Sequence, residues 1–136
     1  MYEIVYFSSA NSNLTQKDIR DILSHSRENN SKNGITGCLL HYNEEFLQIL
    51  EGKKSEVQRL FNIVKKDQRH QNVIVLYEGT KEHRYFSNWK MAFYNLNSSK
   101  SNEIFFKKEV IEFSKIAKKP TLAVELFWTM AKHLVS

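Results

Sequence analysis

Apolar and polar positions alternate from the first residues of the chain. Tyr2, Ile4 and Tyr6 fall on one face of a predicted strand over residues 2–7, with Val5 and Phe7 on the other. Asn11-Ser12-Asn13 breaks the alternation, and the period then lengthens to that of a helix. Thr15-x-x-Asp18 has the form of a capping box, with Leu14 and Ile19 placed as its staple, and predicts a helix over residues 15–30. Its apolar stripe of Ile19, Ile22 and Leu23 runs on through Ser26 to Asn30, so polar groups sit in the middle of the buried face. Asn30 fits either of two roles there, a cap on the helix C-terminus or a contact to something polar.

Asn33-Gly34 marks a turn into a strand from Ile35 to His41 or Tyr42, and Asn43-Glu44 closes a hairpin into residues 45–51, ended by Gly52. Val57, Leu60, Phe61 and Val64 at i, i+3, i+4 and i+7 predict a second amphipathic helix from Ser55 to Lys66. Asp67-Gln68-Arg69-His70 is its polar exit. Val73 to Tyr77 reads as a buried strand, and Gly79 with Lys81-Glu82-His83-Arg84 as a loop. A last strand over residues 86–94 places Trp89, Met91 and Phe93 on one face. The polar linker from Asn95 to Asn102 precedes two helices, residues 102–118 and 121–134, separated by Pro120.

This order predicts an α+β fold of ferredoxin-like type, with a five-stranded mixed sheet and two helices on one face. The C-terminal helix pair is the expected cover for the other face. Residues 1–95 would form the main domain, and 96–136 a linker with its two-helix extension.

Composition narrows the classes. A chain of 136 residues, 41% of them hydrophobic, holds one domain with its own core. Its longest apolar run is too short to span a membrane, and no basic segment precedes an apolar one at the N-terminus, which argues against a signal peptide. Cys38 is the only cysteine, so an internal disulfide is impossible and a cytoplasmic location is expected. The net charge of +5 comes largely from Lys107, Lys108, Lys115, Lys118 and Lys119, which alternate with Glu109 and Glu112 as on a solvated helix face. No ligand spacing links the five histidines, and neither a Gly-rich phosphate loop nor an acid–base pair is present. Cys38 lies within an apolar strand, where structural cysteines predominate.

Gln48 is the anomaly. It shares a strand face with Phe46 and Leu50, and an amide between apolar neighbours needs partners or costs about 1–3 kcal/mol. A bond to backbone would answer that need. So would a bridge between two other polar groups, since an amide both donates and accepts. Together with Tyr6, Ser26, Asn30, Trp89 and Met91 it makes an unusual polar and aromatic set on apolar elements. The stretches Ile4-Val5-Tyr6-Phe7-Ser8-Ser9, Asn29-Asn30-Ser31-Lys32-Asn33-Gly34-Ile35-Thr36-Gly37 and Phe46-Leu47-Gln48-Ile49-Leu50-Glu51-Gly52 resemble those of the BLUF family, blue-light sensors that bind a flavin. Asp67-Gln68-Arg69-His70 and Phe86-Ser87-Asn88-Trp89-Lys90-Met91 continue the resemblance in matching order across residues 2–94. The C-terminal helix pair looks like that of short, stand-alone members.

The resemblance implies FAD as cofactor, with FMN or riboflavin as alternatives, held between the two early helices. Asn30 matches the residue that bonds the flavin ring, while Ser26, Asn29, Lys32, Asp67, Arg69 and His70 match positions near the flavin or its tail. Some relatives have a basic residue where this chain has Ile63, which leaves Arg69 or Lys32 to meet the phosphates. Tyr6 and Gln48 match the photoactive pair: on illumination Tyr6 gives up an electron and a proton, and Gln48 changes its hydrogen bonds. Trp89 and Met91 lie on the implied output strand, one of them near Gln48. A sensor of this kind is not an enzyme, and it signals to a separate regulatory protein, as a homo-oligomer and away from membranes. A nucleic-acid-binding module on the same fold is the competing reading, but the aromatic signature of RRM strands is absent.

Overall fold

The computed structural model describes residues 1–11, 13–42, 44–86, 92–95 and 121–135. Its elements are β1 (Tyr2–Ala10), α1 (Gln16–Asn33), β2 (Thr36–Tyr42), β3 (Glu45–Gly52), α2 (Lys54–Lys66), β4 (His70–Thr80), β5 (Ala92–Asn95) and α3 (Leu122–Val135). The strands form a five-stranded sheet in the order β4-β1-β3-β2-β5. All neighbours are antiparallel except β2 and β5, which run parallel. This is the α+β arrangement the element order predicts.

Alternation along β1 and β3 feeds two cores. On one face Ile4, Tyr6, Leu39, Phe46 and Leu50 pack with Val57 and Phe61 of α2, and Ile22 of α1 lies against them. On the other, Val5, Cys38, Leu40, Leu47, Ile49 and Phe86 pack with Ala123, Val124, Phe127 and Trp128 of α3. The expected helix over 102–118, the linker over 96–102 and residues 87–91 of the expected last strand lie outside the described residues.

Several boundaries move, each for a local reason. The first strand continues to Ala10 because its serines remain paired: Ser8 and Ser9 stand opposite Phe46 and Glu45 of β3, and Ser8 is fully buried. The Thr15–Asp18 capping box forms in both directions, at 3.2 and 2.9 Å. At its other end α1 runs to Asn33, where Gly34 takes the left-handed conformation (φ 65°) and its N–H bonds to the carbonyl of Asn30. Asn30 therefore lies inside the last turns and does not cap with its side chain. The strand over 73–77 is not buried. It belongs to the longer β4, which bonds only to β1 at the sheet edge and leaves Ile74 and Val75 55% and 41% exposed. The β1–β4 register also slips between Val5 and Tyr6 and between Phe7 and Ser9.

Charged residues hold one end of the sheet. Glu3 and Glu51 face each other across β1 and β3, both essentially fully buried. Lys81 Nζ lies 3.3 Å from Glu3 Oε1 and 2.5 Å from Glu51 Oε2. The Thr36 hydroxyl donates to Glu51 at 2.8 Å, and the amides of Tyr85 and Phe86 donate at 2.9 and 2.6 Å. Thr121 donates its hydroxyl to Glu3 at 2.7 Å, while the same oxygen accepts the Val124 N–H at the start of α3.

Candidate functional site

Tyr6 and Gln48 are direct partners across β1 and β3, both buried, and the Tyr6 hydroxyl donates to Gln48 Oε1. The Tyr6 ring also lies 5.3 Å from that of Phe61, centroid to centroid. Burial pushes the phenol pKa far up, and the negative charge of Asp67 adds to the effect. The phenol is thus a held proton that does not titrate in the ordinary range.

The pair opens on a cavity of about 60 Å³ between the sheet and the two helices. Ile22 and Ser26 of α1, Val64 of α2, and Leu39 and Phe46 of the sheet line it, together with Asp67, Arg69 and His70 from the α2–β4 connection. One turn beyond Ser26, Asn30 is 1% exposed, and neither Oδ1 nor Nδ2 of its amide has a hydrogen-bond partner among the described residues. A buried amide in that condition costs about 1–3 kcal/mol per unpaired group, and it suits a ligand edge that carries a donor beside an acceptor. The heterocyclic edge of a flavin is such an edge. Helix α1 approaches the strands less closely than α2 and buries only Ile19 and Asn30 among its described side chains.

At the mouth, Arg69 makes a two-pronged bond to Asp67, with Nε 3.0 Å from each carboxylate oxygen and Nη2 2.5 Å from Oδ2. Burial pushes the Asp67 carboxyl up, but the hydrogen bonds and charge of Arg69 prevail and hold it below its ordinary value. The guanidinium is correspondingly held above its own, first through the bond to Asp67. His70 bonds through both ring nitrogens, Nδ1 to the Ser8 hydroxyl at 2.9 Å and Nε2 to the Val64 carbonyl. The carbonyl can only accept, so Nε2 carries the proton and the Ser8 hydroxyl donates to Nδ1 in the neutral ring.

The structure therefore brings Tyr6, Gln48, Ser26, Asp67, Arg69 and His70 together around one cavity, with Asn30 one turn away. It does not bring in Asn29 or Lys32, which are exposed; Lys32 stands 3.6 Å from Glu28 at the surface. Ile63 is 54% exposed. Trp89 and Met91 lie outside the described residues. Sequence reasoning missed Ser8, although its place two residues beyond Tyr6 on the same strand face was the signal for it. Among the described residues no cluster of His, Cys, Asp or Glu could hold a metal ion. Burial raises the Cys38 thiol pKa well above its ordinary value, which suits a core residue.

The buried Tyr6–Gln48 pair under a cavity between sheet and helices is the arrangement of a candidate ligand site, and the family is shown by comparison. The profile of the family described as BLUF, sensors of blue light using FAD, matches residues 1–92. The chain belongs to the BLUF family of flavin-based blue-light photoreceptors. It is 33% identical to the photoactivated adenylate cyclase subunit beta of Euglena gracilis over 90 residues, 65% of this chain and 10% of that protein. It is 25% identical to the blue light- and temperature-regulated antirepressor BluF of Escherichia coli (strain K12) over 101 residues, 74% of this chain and 25% of that protein. The structure of BlsA in its photo-activated state matches with a TM-score of 0.68 and 29% identity, covering 89% of this chain and 99% of that one. The chain thus spans a tenth of the cyclase and a quarter of the antirepressor. No helix among the described residues is long and apolar enough to cross a membrane.

Proposed function

We propose that this chain senses blue light through the Tyr6–Gln48 hydrogen bond and passes the signal to a separate regulatory protein. The observation that carries the reading is a buried phenol donating to a buried amide, together with a second buried amide that has no partner among the described residues. Asn30 would hold the FAD ring edge, with Ser26, Asp67, Arg69 and His70 around it. Asn29 and Lys32 would serve the tail at the surface. Bound FAD would supply the blue-light absorption and would take up one electron and one proton.

Tyr6 would supply that electron and, from its Oη, the phenolic proton, both taken up by the flavin. Gln48, relieved of its donor, rotates or changes tautomer so that the group facing the cleft switches between donor and acceptor. When the electron and proton return to Tyr6, the rearranged amide persists until it relaxes thermally. A neutral amide suits this step because its two ends differ chemically, whereas a carboxylate would bring a charge. The stretch expected as the last strand, residues 86–94 with Trp89 and Met91, is the segment that reports the change. Residues 1–95 form the sensing unit, and residues 96–136 carry the linker and the C-terminal helices.

A separate regulatory protein as target is supported by the likeness to an antirepressor. Homo-oligomers and a cytoplasmic location, which the lone Cys38 suits, complete the reading. The sheet face that an RRM would offer to RNA is covered by α3, which weighs against nucleic acid.

Gln48→Leu and Tyr6→Phe test the relay. Each variant should purify with bound flavin yet show no reversible light-induced spectral shift. A normal shift in Gln48→Leu would remove the amide from the mechanism, and one in Tyr6→Phe would remove the phenol.

A further inference from the structure

The geometry points to Arg84 as a positioning residue for Asn30, a role that rests on the reading of Asn30 as the flavin-ring contact. An amide on a helix is placed only as well as the turn that carries it. The Asn30 carbonyl accepts N–H bonds from Gly34 and Ile35, so the αL cap and the Asn30 turn are one hydrogen-bonded unit. What fixes that unit against the sheet is Arg84. Its Nη2 donates to the Gly34 carbonyl at 2.5 Å, and its Nη1 donates to Thr36 Oγ1 at 2.9 Å and to the Glu51 carbonyl at 3.2 Å.

One planar fork thus joins the end of α1, the start of β2 and the end of β3. A cation also suits the carbonyl-rich terminus of a helix. The fork is itself held. The loop that carries it is bonded on both sides to the buried Glu51 carboxylate, through Lys81 before it and the amides of Tyr85 and Phe86 after it. Since α1 packs less closely on the sheet than α2, this clamp fixes the turn that carries the buried Asn30 amide. Lysine, a point charge without the fork, can reach one of the three acceptors and not all of them.

The test uses the full chain and FAD itself. Arg84→Gln should weaken FAD binding by about tenfold. It should also speed hydrogen exchange at Gly34 and Ile35, leaving the capped first turn of α1 and strands β1 and β3 unchanged. Arg84→Lys should fall between wild type and Arg84→Gln on both readouts. In an Asn30→Ala background, Arg84→Gln should weaken FAD binding no further, because the group it positions is gone. Wild-type affinity in Arg84→Gln, an additive loss in the double variant, or faster exchange spread over β1 and β3 would overturn the assignment. Asn30→Ala alone separates the two levels. If it keeps wild-type FAD affinity, the reading of Asn30 fails and the positioning role with it. If it loses affinity while Arg84→Gln does not, only the positioning role fails.

Discussion

In the proposed mechanism Tyr6 releases its proton only on illumination and so has to hold it firmly in the dark, which its burial supplies. Its phenol stays neutral well beyond its ordinary value of 10.0. The amplitude of the light-induced shift should therefore be constant from about pH 6 to about pH 9, whereas a phenol at its ordinary value would begin to lose the proton near the upper end. Absorption difference spectra across that range check this, and a falling amplitude at alkaline pH would contradict it. Asp67 behaves in the opposite sense. Its folded pKa is depressed, so its pairing with Arg69 contributes stability above the ordinary carboxyl value of 3.8 that is lost as pH falls through the folded value. The stability advantage of wild type over Asp67→Asn should be full at neutral pH and shrink in acid, as read by urea midpoints at the two pH values. An advantage independent of pH would sink the assignment. At this scale the sequence was readable where a polar residue interrupts an apolar face, as Gln48 and Asn30 do. It was not readable for Arg84 or Glu51, polar residues at a loop and a strand end, whose partners lie up to 50 residues away.

The elements follow the same division. Helix α1 was legible at its N-terminus because the Thr15–Asp18 box is local; Thr15→Ala should cost about 1 kcal/mol in urea unfolding. An unchanged midpoint would show that the cap is not working in solution. Its C-terminus was placed short, since Asn30 resembles a cap until Gly34 is seen to take that role. Strand β4 was read as buried because Val73, Ile74, Val75 and Leu76 form a continuous apolar run. Whether such a run lies at the centre or the edge depends on sheet order, which pairing decides and local pattern does not. Gly37 shows the reverse, a demand visible only in three dimensions. A Cβ there would stand 2.0 Å from the Ile49 carbonyl, and its φ of 155° disfavours a side chain as well.

At the scale of the molecule, the sheet separates two environments: the polar relay with its helices on one face, and the apolar contact with α3 on the other. The Glu3–Lys81–Glu51 group is the ionic link between β1, β3, the 81–86 loop and, through Thr121, the start of α3. Removing its one ammonium would leave two buried carboxylates uncompensated. Lys81→Met should accordingly cost about 3–5 kcal/mol in denaturant unfolding, far beyond a surface ion pair. A cost below about 1 kcal/mol would show that the group is hydrated and not a link. The order of elements led to the α+β class, and the motifs to the family. The ionic link escaped both, because its members share no period and meet only once the sheet has formed.

The central claim is that the Tyr6–Gln48 pair converts blue light into a changed hydrogen-bond pattern around a bound flavin. The most direct measurement is the absorption spectrum of the purified protein with FAD, in the dark, under blue light and after return to darkness. A shift of the flavin bands to longer wavelength that reverses in the dark is the predicted result. Bound flavin whose bands do not move, with Tyr6 and Gln48 both intact, would contradict it.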